Sequence, residues 1–204
     1  MDFTWRVTPF TSIVDFARRL PDRAVLAVDG RSASGKTSVS QRLAAAVDGA
    51  CVVHTDDIAW HHGVLNWDGL LRDGVLAPYR AGQAVSFRPP EYDRRDRAGS
   101  VQVPQSCTLL IVEGVGSGRA ELAGVNDAVI WVETPAELVE ARDRVRMAAG
   151  ETTSEIYELW MAEEIPFQQA QRTWERADLV IAGYPAVPYD PAAEVLVADQ
   201  PARR

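Results

Sequence analysis

The sequence has few cysteines and no long apolar run. Cys51 and Cys107 are the two cysteines among 204 residues, and each opens a short apolar run, so we expect buried, reduced thiols rather than a disulfide or a cysteine-ligated metal. No apolar stretch approaches the roughly 20 residues that span a bilayer, and the first residues lack the apolar core of a signal peptide. We therefore expect a cytoplasmic protein with no membrane partner.

Positive charge is also scarce relative to negative charge. The formal net charge is −8 and the sequence pI is about 4.9, which argues against a general nucleic-acid binder while still allowing a local basic pocket for phosphates. A chain of 204 residues with 47% hydrophobic content can bury one good core but hardly two. We expect a single domain over residues 1–204 and no nucleic-acid partner.

One glycine-rich segment fits a phosphate-binding pattern without a mismatch. Gly30 to Thr37 reads G-x-x-x-x-G-K-[ST], in which backbone N–H groups face the phosphates, the lysine reaches the β and γ oxygens, and the hydroxyl can ligate Mg2+. An apolar run at 24–28 precedes it and a helical pattern follows, so the phosphates would meet a helix N-terminus. The predicted nucleotide contacts are Gly30, Ser32, Ala33, Ser34, Gly35, Lys36, Thr37 and Ser38.

Apolar strands alternate with helical patterns along the chain. Strands are predicted at 24–28, 50–55, 108–114, 128–132 and 178–182, and helices at 11–20, 36–47, 135–149 and 153–176. Thr134 is the expected cap of the third helix, and Pro166 is expected to kink or divide the fourth. This alternation predicts a three-layer α/β fold with a largely parallel sheet, whose ligand lies at the carboxyl ends of the strands. The segment 185–204 is left without a prediction.

The segment 60–107 lacks clear periodicity and is rich in aromatic and arginine side chains. We interpret it as a substrate-binding insertion between core segments 24–59 and 108–184. Its aromatic rings either anchor a long loop or stack on a planar substrate. The predicted substrate contacts are His61, Trp67, Tyr79, Arg88, Tyr92 and Arg97.

Carboxylates follow the second and third predicted strands. Asp56 or Asp57 could accept the proton of an attacking hydroxyl, and Glu113 could hold Mg2+ directly or through water, with Thr37 and Asp56 as further ligands. The alternatives are a solvated turn or a helix cap for the aspartates and a strand-end cap for Glu113. Beside the phosphate-binding loop Gly30 to Thr37, hereafter the P-loop, these carboxylates favour phosphoryl transfer.

Three arginines lie in the second half of the third predicted helix. Arg142 and Arg146 are four residues apart and share a face, whereas Arg144 points elsewhere. We expect Arg142 and Arg146, with Lys36, to act on the phosphates when a lid at about 142–172 closes. The alternative is that these arginines are only the positive end of a surface helix.

Several of these motifs together resemble a known family. Val28-Asp29-Gly30 through Thr37, Leu76-Ala77-Pro78-Tyr79, Pro90-Glu91-Tyr92-Asp93 with Arg97, and Ile111-Val112-Glu113-Gly114 are similar to the uridine kinase family of P-loop kinases. The Asp56-Asp57 pair, Trp67-Asp68-Gly69-Leu70 and the run from Val112 to Gly118 more closely resemble the uridine-kinase-like ATP-binding proteins of actinobacteria. The resemblance covers most of residues 24–182.

That resemblance implies a nucleoside monophosphate kinase-type fold with sheet order 2-3-1-4-5 and a lid between the fourth and fifth strands. It also implies ATP with Mg2+ as the donor and Asp56 as the base. The family's histidine after Tyr-Asp is missing here, because Tyr92-Asp93 is followed by three arginines and Asp96. Pyrimidine recognition is therefore not implied.

The function we expect is an ATP-dependent kinase that phosphorylates a hydroxyl of a small molecule, with a nucleoside or a nucleoside-like compound as one candidate acceptor. Two alternatives stay open: a kinase for a sugar or antibiotic, and a regulator that binds ATP without transferring phosphate. An Asn-Lys-x-Asp motif of GTPases and a Leu-Ser-Gly-Gly-Gln signature of transporter ATPases are both absent. A homodimer is also left open.

Overall fold

A seven-stranded sheet with five parallel strands organises the chain, and the computed structural model describes residues 3–199. The strands are β1 Trp5–Pro9, β2 Ala24–Gly30, β3 Ala50–His54, β4 Val85–Phe87, β5 Val101–Val103, β6 Leu109–Glu113, β7 Ala128–Glu133, β8 Leu179–Ala182 and β9 Glu194–Ala198. The helices are α1 Phe10–Arg18, α2 Lys36–Ala46, α3 Thr55–Ala59, α4 Asp68–Leu71, α5 Ala77–Arg80, α6 Pro90–Arg94, α7 Ala136–Ala148, α8 Ser154–Gln171 and α9 Thr173–Arg176. A π-helical turn, Arg72–Leu76, joins α4 to α5, and a 3-10 turn covers Ala120–Leu122.

The sheet order is β1-β9-β8-β7-β2-β6-β3. The five predicted strands correspond to β2, β3, β6, β7 and β8, and their order in space is 2-3-1-4-5, so the predicted fold class is confirmed. The edge formed by β9 and β1 was not predicted. These two strands are antiparallel to each other, and β9 is antiparallel to β8, so part of the unassigned tail completes the sheet; its last residues, 200–204, lie outside the described residues.

The two faces of the sheet are covered by different segments of the chain. Alternate side chains such as Leu26 and Val28 pack against α1 and α2, whereas Val25 on the same strand packs on the opposite face. This is the expected consequence of the two-residue period of a strand buried on both sides. No helix within residues 3–199 has the length and apolar character needed to cross a membrane.

Residues 60–107 form much of the layer on that opposite face. Short helices and the β4–β5 hairpin bury their apolar side chains against β2, β3 and β6. Trp67 is 1% exposed beneath the guanidinium of Arg119, and Tyr79 is fully buried with its hydroxyl donating to the Ala24 carbonyl at 3.1 Å. The prediction that Trp67 and Tyr79 contact substrate is therefore wrong: both are core residues.

Two predicted helix features also differ. The third predicted helix begins at Ala136 with Pro135 at its N-cap, because the Thr134 hydroxyl donates to the Ser34 carbonyl instead of capping the helix. The fourth runs through Pro166 without a division and ends at Arg172, whose φ of +46° separates α8 from α9. The helical pattern is therefore interrupted at that left-handed residue rather than at the proline.

Replacing Tyr79 by Phe tests its assignment to the core. The change removes the hydrogen bond to the Ala24 carbonyl, so we expect the free energy of unfolding in urea to fall by about 1 kcal/mol. We expect kcat and KM to stay within about twofold of the wild type, because a buried Tyr79 does not touch the substrate. A larger change would require the loss of a substrate contact worth more than ~0.4 kcal/mol. A tenfold rise in KM without loss of stability would restore Tyr79 as a substrate contact.

Candidate active site

The carboxyl ends of the parallel strands open into a cleft of about 1110 Å³. Its walls include the P-loop, both Asp56 and Asp57 at the start of α3, and Glu113 at the end of β6. Arg142 and Arg146 line it from α7. The structure thus brings together side chains that lie more than one hundred positions apart in the sequence.

The P-loop has the conformation of an anion-binding turn. Ala33 and Gly35 have φ angles of +51° and +100°, and α2 starts directly afterwards at Lys36. Ser32 to Ser38 line the cleft, and the positive end of the α2 dipole favours an anion there. Two N–H groups of the loop donate within the protein: Ser32 to Glu164 Oε1 at 2.9 Å and Ser34 to the Arg31 carbonyl at 3.2 Å. Gly30 is needed for packing rather than contact, because a Cβ would lie 2.5 Å from the Val132 carbonyl oxygen.

Lys36 is the only lysine of the chain. It is 7% exposed, and its Nζ donates to the Arg31 carbonyl at 2.7 Å. This bond holds the ammonium group against the loop. The Lys36 ammonium group is therefore held by a hydrogen bond at the position where the P-loop pattern places its lysine.

Asp29, just before the loop, was not predicted as a site residue. Its carboxylate is completely buried and accepts hydrogen bonds from the N–H groups of Gly30 at 2.7 Å, Gly116 at 2.7 Å and Gly118 at 3.0 Å. Burial raises the pKa of this carboxyl, and the three N–H donors and Lys36 oppose the rise. Asp29 thereby ties the start of the P-loop to the turn that follows β6.

A second support comes from the loops after β7 and β8. The Arg142 guanidinium donates to the carbonyls of Ala33 and Gly183, both at 2.8 Å, and the Thr134 hydroxyl donates to Ser34 at 2.9 Å. Gly183 packs so closely that a Cβ would lie 1.8 Å from the Ser34 carbonyl oxygen. Arg142, predicted to clamp phosphates, is here a brace between the P-loop and β8 that also lines the cleft.

The two adjacent aspartates have different surroundings. Asp57 accepts from Arg97 at 2.8 Å and from the Tyr92 hydroxyl at 3.3 Å, and the Arg97 guanidinium lies 4.3 Å from the Tyr92 ring centre and 4.8 Å from that of Trp60. Tyr92 and Arg97, predicted as substrate contacts, therefore hold Asp57 in place. They connect the 60–107 layer to α3.

Asp56 is open to the cleft, and none of the hydrogen bonds among residues 3–199 involves its carboxylate. The cleft walls exclude part of the water around it, which raises the pKa of the carboxyl, whereas the charge of Lys36 lowers it. A carboxylate without a protein partner, near a cation and at the phosphate end of the cleft, is free to accept a proton from a ligand.

Glu113 is buried and paired with a histidine. Its Oε2 lies 2.5 Å from Nδ1 of His54, the last residue of β3. The hydrogen bond to Glu113 is the main reason that the pKa of His54 is raised, with burial opposing it. One carboxylate oxygen of Glu113, Oε2, is thus bonded to His54, so only the other oxygen could bind a metal ion directly.

A Mg2+ site was predicted from Thr37, Asp56 and Glu113. All three line the same cleft, but in the described part of the chain no three His, Cys, Asp or Glu side chains cluster as a metal site. Mg2+ usually takes one or two carboxylates and completes its shell with water and substrate phosphates. A hydroxyl with two carboxylates fits that mode of binding and would not hold the ion alone.

Arg146 lines the cleft and is bonded to two carboxylates of the protein. It donates to Asp143 at 3.4 Å and to Glu151 at 3.3 Å.

Two predicted substrate contacts interact instead with neighbouring residues of the 60–107 layer. Arg88 donates to Asp93 and to the Gly99 carbonyl. His61 stands edge-on to the Trp60 ring at 4.5 Å. The structure does not bring Arg88 or His61 to the cleft, so substrate contact at those two positions is not supported.

The segment between β8 and β9 forms part of the cleft wall, a role that was not predicted from the sequence. Tyr189 and Pro191 line it beside Val39 and Arg42 of α2. A segment rich in proline and alanine carries no periodic signal, and only the pairing of β9 with β1 and β8 brings it back over the sheet edge.

Comparison with known proteins identifies the fold. Protein-family models and curated proteins gave no match to the chain. Among solved structures, a protein from Silicibacter sp. TM1040 described as a candidate fructose transport system kinase matches with a TM-score of 0.57 and 23% identity, over 82% of this chain and 93% of that one. At that identity the match shows a shared P-loop kinase fold.

Two other solved structures match less closely. A possible uridine kinase from Bacillus stearothermophilus has a TM-score of 0.49 and 22% identity, over 84% of this chain and 95% of that one. A shikimate kinase from Bacteroides thetaiotaomicron has a TM-score of 0.38 and 12% identity, over 78% and 86%.

Gly183 offers a test of the braced P-loop. In Gly183→Ala the added methyl group overlaps the Ser34 carbonyl, so the loop must shift, and we expect ATP to bind at least about tenfold more weakly by calorimetry. Gly124→Ala is the matched control, because a Cβ there meets nothing within 4 Å. Equal affinity of both variants and the wild type would contradict the proposed bracing.

The His54–Glu113 pair predicts a pH-dependent stability. Since the pKa of His54 is raised above 6.5 in the folded protein, the pair stabilises the fold fully below about pH 6.5, and this contribution is lost as pH rises through the raised value. The stability difference between wild type and His54→Gln, measured by urea unfolding in EDTA, should therefore shrink from about pH 6 to about pH 9. His62→Gln is the control; a difference that stays constant with pH would rule out the charged pair.

Proposed function

We propose that this protein is an ATP-dependent kinase that transfers the γ-phosphate to a hydroxyl group of a small molecule. The observation that carries the proposal is the geometry of one cleft, in which a P-loop, its lysine and an unpaired aspartate face the same space. A phosphoryl-transfer site needs aligned oxygens, neutralised phosphate charge and an acceptor for the hydroxyl proton. Lys36 and Asp56 supply the last two.

In this proposal the residues of the chain have distinct roles. The N–H groups of the P-loop and the Lys36 ammonium bind the phosphates, and Arg142 with Arg146 can turn from their protein partners to the transferring group when the α7–α8 segment closes as a lid. Asp56 accepts the proton of the attacking hydroxyl. Mg2+, held by Thr37 with Glu113 or Asp56, would neutralise charge on the β and γ phosphates.

The rest of the cleft suggests where the two substrates lie. Pro191, Val195 and Val39 give the end near α2 an apolar surface suited to a base, and Tyr189 adds an aromatic ring beside it. Near α8, Tyr157 and Trp160 present further aromatic side chains to the same cleft. Aromatic rings stack well on planar molecules, which favours a ring-bearing acceptor such as a nucleoside or a nucleoside-like compound.

Paired substitutions of the adjacent aspartates test the proposed base. Asp56→Asn should lower kcat by about 10² to 10⁴, the usual contribution of a general base, while ATP affinity changes little. Asp57→Asn should mainly lower stability, by up to about 1 kcal/mol because its pair with Arg97 is partly exposed. Lys36→Ala should cost on the order of 10² to 10³ in rate.

The assay is ATP consumption against a panel of nucleosides, sugars and hydroxylated antibiotics. Turnover with one acceptor class, lost in Asp56→Asn and retained in Asp57→Asn, would support the proposal and name the acceptor. ATP binding without turnover on any hydroxyl acceptor would indicate a regulator instead. Full turnover in Asp56→Asn would remove Asp56 as the base.

A further inference from the structure

Glu164 of α8 is a buried glutamate beside the P-loop. It is 3% exposed, and within residues 3–199 no lysine, arginine or histidine forms an ion pair with it. A buried carboxylate is costly unless hydrogen bonds compensate its charge, and a negative charge at this place also opposes the binding of phosphates. The contribution of Glu164 therefore lies in its hydrogen bonds rather than in its charge.

Two N–H groups from different parts of the chain donate to this carboxylate. Oε1 accepts from the backbone N–H of Ser32 in the P-loop at 2.9 Å. Oε2 accepts from the indole Nε1 of Trp160, one turn earlier on α8. Both donor residues line the cleft, whereas Glu164 does not. One carboxylate thus joins the phosphate-binding loop to an aromatic side chain of the cleft wall.

Two converging donors require a carboxylate at this position. An ionised carboxylate accepts at both oxygens, whereas the amide of glutamine has one acceptor oxygen and one donor nitrogen. A glutamine at position 164 would leave either the Ser32 N–H or the Trp160 indole facing another donor. An aspartate would keep both acceptor oxygens, but it is one methylene group shorter and would not reach both donors from the same backbone position.

The two helices of the proposed lid bind adjacent residues of the P-loop. From α7, Arg142 donates to the Ala33 carbonyl at 2.8 Å. From α8, Glu164 accepts from the Ser32 N–H. In the proposed reaction Arg142 turns to the transferring phosphate and leaves that carbonyl. Among the described residues, the bond from Ser32 to Glu164 is then the hydrogen bond that still joins α7 and α8 to the loop.

We propose that Glu164 is a positioning residue of the kinase site. By holding Ser32 and the Trp160 ring in one arrangement, it orders the P-loop and the aromatic wall of the cleft together before a nucleotide binds. A site that is ordered in advance loses less conformational entropy when its ligand binds, and its affinity is higher for that reason. The inference rests on the proposed function, because it takes the cleft to be a nucleotide site.

A double-mutant cycle between Glu164 and Trp160 tests this role by calorimetric titration with ADP in the presence of Mg2+. Glu164→Gln leaves one N–H donor without an acceptor, so we expect ADP to bind at least about threefold more weakly. In Trp160→Phe the indole donor is absent, and the glutamine oxygen is free for the Ser32 N–H. Glu164→Gln added to that variant should leave ADP affinity equal or higher, since a repelling charge is removed.

Glu164→Asp separates position from charge. It keeps the negative charge without the reach, and we expect ADP to bind at least about fivefold more weakly. The matched controls are Glu163→Asp and Glu163→Gln, at the exposed neighbouring position of α8, which should stay within about twofold of the wild type. Melting temperatures report folding. If Glu164→Gln alone does not fold, the cycle is read on folding, and the double variant with Trp160→Phe should be folded.

Three results would overturn the inference. The first is an ADP affinity within about twofold of the wild type in both Glu164 variants. The second is tighter binding in Glu164→Gln with no change in Glu164→Asp, which would show an effect of charge alone. The third is the same effect of Glu164→Gln with and without Trp160→Phe, on affinity or on folding.

Each of these three results leaves the kinase proposal intact, because the wild type still binds ADP. A wild type that binds no ADP in the presence of Mg2+ would overturn the proposed function, and this inference with it. The measurement needs neither turnover nor a known acceptor.

Discussion

The hydrogen bonds of the buried Asp29 carboxylate are the interaction on which the site depends. Three backbone N–H groups compensate the burial of that charge, and they come from both the P-loop and the turn after β6. An unpaired buried carboxylate would be costly, so the two loops must stay together for the charge to remain satisfied. The position of the phosphate-binding loop relative to Glu113 is fixed by this arrangement.

Close backbone approaches reinforce the same arrangement. Gly118 lies against the Asp29 carboxylate, and a Cβ at Gly114 would lie 1.7 Å from the Thr55 hydroxyl oxygen at the start of α3. Gly183 approaches the P-loop from the other side at similarly short range. Glycines after two strands, β6 and β8, therefore let the P-loop, α3 and the loop after β8 meet, and this is what brings Lys36 and Asp56 into one cleft.

The sequence predicted the five parallel strands and most of the cleft, because both follow from local patterns: apolar runs for buried strands and a loop motif whose geometry is nearly fixed. The order of those strands was implied only by the family resemblance, since apolar runs do not show which strands are neighbours. Within 60–107 the sequence could not distinguish residues of the core from residues that contact a substrate. An aromatic residue such as Trp67 or Tyr79 is equally common in a core and in a binding pocket. Short, irregular helices also lack the hydrophobic periodicity that would show which side is buried. The roles of Thr134 and Gly183 depend on contacts with Ser34, which is distant in sequence, and had no local signal.

An acidic protein must still offer a favourable site to a highly charged anion. Around the cleft most carboxylates are already compensated: Asp29 by backbone N–H groups, Asp57 by Arg97 and Glu113 by His54. Their negative charges are therefore largely balanced where a triphosphate would bind, and the positive end of α2 with Lys36 can dominate the local potential. This compensation is the reason that a net charge of −8 is compatible with the proposed phosphoryl transfer. Asp56 has no such partner, and for that reason we assign the proton acceptor to it.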